Sequence, residues 1–166
     1  MKTLTRAARA VISLAALISL TGCAASYATR YNPASDYSFM HKDSDLHYAW
    51  NAKQTDQGVR IDGLVKNVEY PRVESLEIKV SLLDKAHKVI SEDVSFTVPY
   101  SIQSNDYTNF GVLLPKAKLS EGDLLRFLSS YNAVAGQSSF SWFSSFTVNA
   151  ITGEVVGRWE KPDAKW

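Results

Sequence analysis

The sequence predicts an all-β domain, an immunoglobulin-like antiparallel β-sandwich, following a signal peptide and a tether. Three observations carry this expectation. From Leu46 onward, apolar residues recur at every second position in a series of short runs. Clusters of turn-forming residues separate those runs, and no long helical period occurs after the first 20 residues. A period of two with one apolar face is the mark of a half-buried strand in an antiparallel sheet. About seven such strands with turns between them suit a sandwich of immunoglobulin type, although the Cys and Trp hallmarks of antibody domains are missing.

At the amino end, Lys2, Arg6 and Arg9 precede an apolar run from Ala10 to Leu20. Basic residues before an apolar core form the layout of a secretory signal peptide. The run has 11 residues, whereas a helix crossing a bilayer needs about 20. The next residues, Leu20-Thr21-Gly22-Cys23, contain the only cysteine of the chain. They resemble the lipobox of bacterial lipoproteins. The resemblance implies cleavage before Cys23, attachment of diacylglycerol to its sulfur and acylation of its new amino group. Several chains on one residue give stable membrane anchoring where one gives only marginal binding. In such lipoproteins an aspartate after the cysteine retains the protein in the inner membrane. Ala24 at that place implies the outer membrane, facing the periplasm. Cys23 committed to lipid leaves no disulfide or thiolate–metal chemistry for the mature chain.

Composition then bounds the function. Of the 18 Lys and Arg residues, three lie in the leader, so the remainder carries 15 bases against 17 acids. No basic excess exists to neutralise phosphates, so no nucleic-acid partner is expected. Residues 1–22 are assigned to the signal peptide, 23–44 to the lipidated terminus and tether, and 45–166 to the sandwich. The tether segment is polar and aperiodic. Its aromatics Tyr27, Tyr31, Tyr37 and Phe39 exceed what a linker needs, which points to part of it docking on the domain.

The strands follow in order. Residues 58–67 place Val59, Ile61, Gly63 and Val65 on one side; residues 73–84 place Leu76, Ile78, Val80 and Leu82 on one side. Val94, Phe96 and Val98 form the expected apolar face of the next strand, then Phe110, Val112 and Leu114, then Leu125, Phe127 and Tyr131. Turn signals fall at Glu69 to Pro71, Asp84 to His87, Pro99 to Asp106 and Glu121 to Asp123. The C-terminal part reads as two strands, about 139–149 and 153–159, joined at Thr152-Gly153. In this order "GLVKN", "KVSLLDKAHKVI" and "LSEGDLLRF" resemble the FxLYD-like domains of bacterial envelope proteins, over roughly residues 58–128. His87 stands where that pattern often has Gly, and Glu121 where Pro is common. The resemblance implies a binding or scaffolding module with no catalytic residues.

No G-x-S-x-G elbow, P-loop or H-E-x-x-H occurs, so the expectation is a protein that is not an enzyme and uses no cofactor or metal. In "HKDSDLH", His41, Asp43, Asp45 and His47 have donor types that suit a metal. Their spacing matches no ligand pattern, however, and the segment reads as a solvated linker. His87 reads as a turn residue. Only a cleft gathering distant groups such as Asp62, His87 and Tyr131 would revive a catalytic reading. The loop Tyr100–Asp106 fits either recognition or plain connection.

The candidate binding residues are Trp142, Phe143 and Phe146. Exposed, they would anchor an envelope protein partner or, alternatively, stack on a small ligand or glycan. The bland arrangement puts Phe140, Trp142 and Phe146 in the core and covers Phe143 with a neighbouring segment; alternation favours it. The function expected is that of a lipid-anchored periplasmic binding or scaffolding protein.

Overall fold

A computed structural model describes residues 32–160, with the side chains of 158–160 left aside. The signal peptide, Cys23 and the first part of the tether lie outside the described residues. After a single 3-10 turn at Pro33–Asp36 come ten strands: β1 Phe39–Lys42, β2 Leu46–Gln54, β3 Gly58–Asn67, β4 Arg72–Leu83, β5 Val89–Phe96, β6 Ser101–Gln103, β7 Tyr107–Pro115, β8 Leu124–Ala135, β9 Ser138–Asn149 and β10 Val155–Glu160. They form two antiparallel sheets packed face to face as a β-sandwich. The smaller sheet has the order β1-β2-β3-β7. The larger has the order β10-β9-β8-β4-β5, with β6 also paired to β4.

The alternation read from β3, β4, β7 and β8 points inward as expected. Val59, Ile61 and Val65 meet Leu76, Ile78, Val80 and Leu82 across the sandwich, with Phe110, Val112, Leu114, Leu125 and Phe127. At the centre Phe127 and Phe146 stack with ring centroids 4.8 Å apart, and Trp50 lies 5.0 Å from Phe127. Such aromatic pairs add about 0.5–1.5 kcal/mol each beyond the area they bury. Gly63 is where the Phe110 ring lies against the neighbouring strand: a Cβ there would meet that ring and, at 2.8 Å, the carbonyl oxygen of Ala49. In β4, Ser75 has φ 54° and the register shifts between Glu74 and Glu77. This bulge places both Val73 and Leu76 inward although they are three residues apart.

The expected turns form with the chemistry their residues supply. Asp84 Oδ1 accepts the N–H groups of Ala86 and Lys88 at 2.8 and 2.9 Å, and His87 takes φ 61°. Asn149 Oδ1 accepts from Ile151 and Thr152 N–H at 2.9 and 3.0 Å, leading into Gly153 at φ 71°. The segment Tyr100–Asp106 is more than a connection: Ser101–Gln103 form β6 on Arg72–Glu74, with Ile102 buried.

Two expectations are corrected. Val94, Phe96 and Val98 do not face the core: Phe96 is 72% exposed and Val98 86%. The inward side of β5 is polar because β5 ends its sheet opposite the backbone edge of β7, and that edge needs acceptors. Ser95 Oγ accepts Gly111 N–H at 3.2 Å, and Asp93 Oδ2 accepts Leu113 N–H at 3.1 Å. The "HKDSDLH" stretch is not a solvated linker either. It is the β1–β2 hairpin, with His41, Asp43 and Asp45 buried. The sandwich thus begins at Phe39, inside the stretch assigned to the tether.

Candidate functional site

Strand pairing arranges the outer face of the larger sheet in rows that run across it. One row is Glu92, Ser81, Arg126, Thr147 and Gly157; the next is Val94, Lys79, Leu128 and Ser145; the third is Phe96, Glu77, Ser130 and Phe143. Every second residue of β4, β8 and β9 shares this face because side chains alternate along a strand. The serines that the sequence sets between aromatics in β9 are what make its middle low and polar.

Two shallow basins open on this face. The larger has a volume of about 490 Å³ and takes Lys79 and Ser81 from β4, Arg126 and Leu128 from β8, Ser145 and Thr147 from β9, and Val156 from β10. His87 reaches its rim from the β4–β5 turn. The smaller, about 260 Å³, is lined by Glu77, Ser130, Asn132, Ser141 and Phe143 among others. Ser141 Oγ donates to Asn132 Oδ1 at 2.9 Å on its floor. Large apolar side chains stand at the margins: Phe96 at one edge and Phe143, 45% exposed, toward the other.

The charges of the face are partly spent on one another. Arg72 pairs with Glu74 at 2.9 Å and Lys79 with Glu92 at 2.8 Å. The Lys79 ammonium, helped by the Ser81 hydroxyl, holds the Glu92 carboxyl below its usual range. Among the described residues, neither Glu77 nor Arg126 has an ion-pair partner.

A second polar group lies inside the sandwich. The Tyr131 hydroxyl donates to Asp45 Oδ2, and Tyr48 donates to Ser129 Oγ at 2.9 Å. Burial pushes both phenols up from their ordinary value, and the Asp45 carboxylate raises Tyr131 further. His41 stacks on Phe146 with centroids 4.1 Å apart. These groups bond to one another across the two sheets and hold the hairpin in place. Asp45, Tyr48 and Tyr131 are buried, and Tyr131 also borders the smaller basin. Among the described residues no group of three or more His, Cys, Asp or Glu is placed to hold a metal ion.

The candidate residues of the sequence separate. Phe146 is core. Trp142 points inward, half-buried, edge-on to Phe140 at 6.4 Å. Phe143 points to the open face, where no segment among the described residues covers it fully. Trp142 and Phe143 lie on opposite sides of β9, so they do not form one stacking platform. Asp62 sits on the outer side of the smaller sheet beside Arg60, His87 in a turn and Tyr131 in the core, so these three are not brought together. What sequence reasoning missed is Phe96, Glu77 and Arg126. Only the pairing of β5, β4, β8 and β9 puts them on one face.

The fold and this face define an all-β sandwich with one broad, polar, aromatic-edged open sheet. No family model matches the chain, and no curated protein matches it. Among solved structures it is similar to a yeast GGA1 GAE domain, crystallised as "GGA1_GAE domain-P21". The identity is 12% and the TM-score 0.37, over 64% of this chain and 96% of that one.

Proposed function

We propose that this protein is a lipid-anchored binding module of the bacterial envelope, held by Cys23 at the periplasmic face of the outer membrane. It acts by seating a protein partner on the outer face of its larger sheet. The observation that carries this reading is the row Phe96, Glu77, Ser130 and Phe143, which keeps two phenyl rings in solvent beside open basins. Aromatic side chains are enriched at protein interfaces relative to the rest of the surface. The anchor reading is supported by the basic, apolar and Leu-Thr-Gly-Cys segments in their proper order. A tether from Cys23 would keep the module near its partner and raise the effective concentration of a modest contact.

The test is photo-cross-linking in living cells, with a reactive amino acid at Phe143 and, as control, at Asp62 on the smaller sheet. One envelope protein captured from Phe143 but not from Asp62, and lost in Cys23→Ser, is the expected result. Equal capture from both faces would remove the assignment of the face. Capture unchanged by Cys23→Ser would remove the role of the anchor.

A further inference from the structure

We infer that the partner segment seated on this face is an extended peptide carrying an acidic side chain over Arg126 and a basic one four residues away over Glu77. The inference rests on the reading of this face as the partner surface and names the chemistry of what it takes.

Of the three arginines whose side chains are described, Arg60 pairs with Asp62 and Arg72 with Glu74, while Arg126 pairs with no carboxylate among the described residues. Glu92 in the same row is close enough to be favoured by Arg126, but its own ion pair goes to Lys79. Arg126 therefore lines the larger basin with no ion pair among the described residues, beside Ser81, Ser145 and Thr147. A planar fork of donors beside hydroxyl groups suits a carboxylate, which it grips through two parallel hydrogen bonds. In the smaller basin Glu77 is the counterpart, a carboxylate with no ion pair among the described residues, surrounded by neutral Ser130, Asn132 and Ser141.

The strand register fixes the separation. Arg126 is opposite Ser81, and Glu77 precedes Ser81 by four residues on the same side of β4. At about 3.3 Å per residue the two charges are set roughly 13 Å apart along the strands. That is the span between side chains i and i+4 on one side of an extended chain. A side chain at i+2 would rest over Leu128, which lines the larger basin in the row next to that of Glu77. A compact anion would satisfy Arg126 alone, and a polyanion would be repelled by Glu77. An extended segment with opposite charges four apart and an apolar residue between them satisfies both.

The experiment uses the full-length protein in detergent micelles and a fluorescein-labelled peptide, STETVTKTS, read by anisotropy at low salt. Binding is expected, with a loss of about tenfold in affinity for each of Arg126→Gln and Glu77→Gln, the size of one charge-assisted contact. A peptide with the two charges three residues apart, on opposite sides, should bind as weakly as either variant. Both substitutions are at the surface, and unchanged thermal unfolding would confirm intact folding. The inference is overturned if the wild type does not bind up to millimolar peptide, if neither substitution weakens binding, or if the three-residue spacing binds equally. If cross-linking at Phe143 still captures a partner in cells carrying both substitutions, the charge pattern fails while the partner-binding reading survives.

Discussion

One carboxylate, Asp93, joins two sheet edges: its Oδ2 accepts the N–H of Leu113 at 3.1 Å while its Oδ1 accepts the N–H of Val94 at 2.8 Å. Leu113 belongs to β7, the last strand of the smaller sheet, and Val94 to β5, the last strand of the larger. The two edges are thus closed by side chains where a barrel would use a continuous ladder, which is one way to blunt exposed strand edges.

Removing this clip should destabilise the fold. Asp93→Ala leaves two backbone donors without their charged acceptor, at a cost of about 1.5–3 kcal/mol. Ser95→Ala, which removes a neutral acceptor from Gly111, should cost about 1 kcal/mol. Urea unfolding would show both as lower midpoints with an unchanged slope. An Asp93→Ala protein as stable as the parent would mean that water replaces the clip without loss.

The Tyr131–Asp45 contact sets a dependence on alkaline pH. Burial raises the Tyr131 and Tyr48 phenols above their ordinary value, so both stay neutral in the folded state. The stability they contribute is fully present below the unfolded tyrosine value of about 10 and falls as pH rises above it. Tyr131→Phe should flatten that fall, while costing roughly 1.5–3 kcal/mol at neutral pH because Asp45 loses a buried donor. Unfolding curves taken from pH 8 to pH 11, paired with tyrosinate absorbance, would test this. Full phenol ionisation in the folded protein near pH 10 would refute it.

Gly63 and Phe110 should behave as a coupled pair. A Cβ at Gly63 meets the Phe110 ring, which can shift, and the Ala49 carbonyl oxygen at 2.8 Å, which is fixed by its strand. Gly63→Ala should cost about 1–3 kcal/mol by overpacking. Phe110→Leu relieves one of the two contacts, so the double variant should be more stable than the sum of the single losses. Strict additivity in a double-mutant cycle would show that the backbone contact alone carries the cost.

The strands were legible where their inner face is apolar. In β3, β4, β7 and β8 the alternation named the buried residues because an apolar sheet packs against them. In β5 the same alternation misled. Period two identifies two faces without saying which one turns inward. The deciding factor was the row of β7 amides that Asp93 and Ser95 satisfy. Likewise "HKDSDLH" read as linker because what buries it is distant: Tyr131 reaches Asp45 across 86 residues of sequence. The candidate face was legible only in part. Alternation in the sequence shows Phe143 as the aromatic opposite Trp142 and the serines beside it as a strand's solvent side. Alternation alone puts Phe96 on the wrong side, and the placing of Glu77 and Arg126 needs the register of four strands.

The division of the aromatics between core and face can be tested by comparing substitutions of the same type. Phe146 stacks on Phe127 and is enclosed by Trp50, Tyr48 and His41. Phe146→Ala should therefore cost about 3–5 kcal/mol through lost burial and the cavity left behind. Phe96 and Phe143 have much of their rings in water already, so Phe96→Ser and Phe143→Ser should change stability by no more than about 0.5 kcal/mol. The same two surface substitutions should abolish capture of the envelope partner, since anchor residues at an interface typically contribute about 2 kcal/mol or more each. Thermal unfolding of the three variants, with in-cell cross-linking from a reactive amino acid at Ser130 in the same row, would separate the roles. Stable Phe96→Ser and Phe143→Ser proteins that still capture the partner would place its contact elsewhere on the sandwich, with the edge strands β1 and β10 the next surfaces to examine.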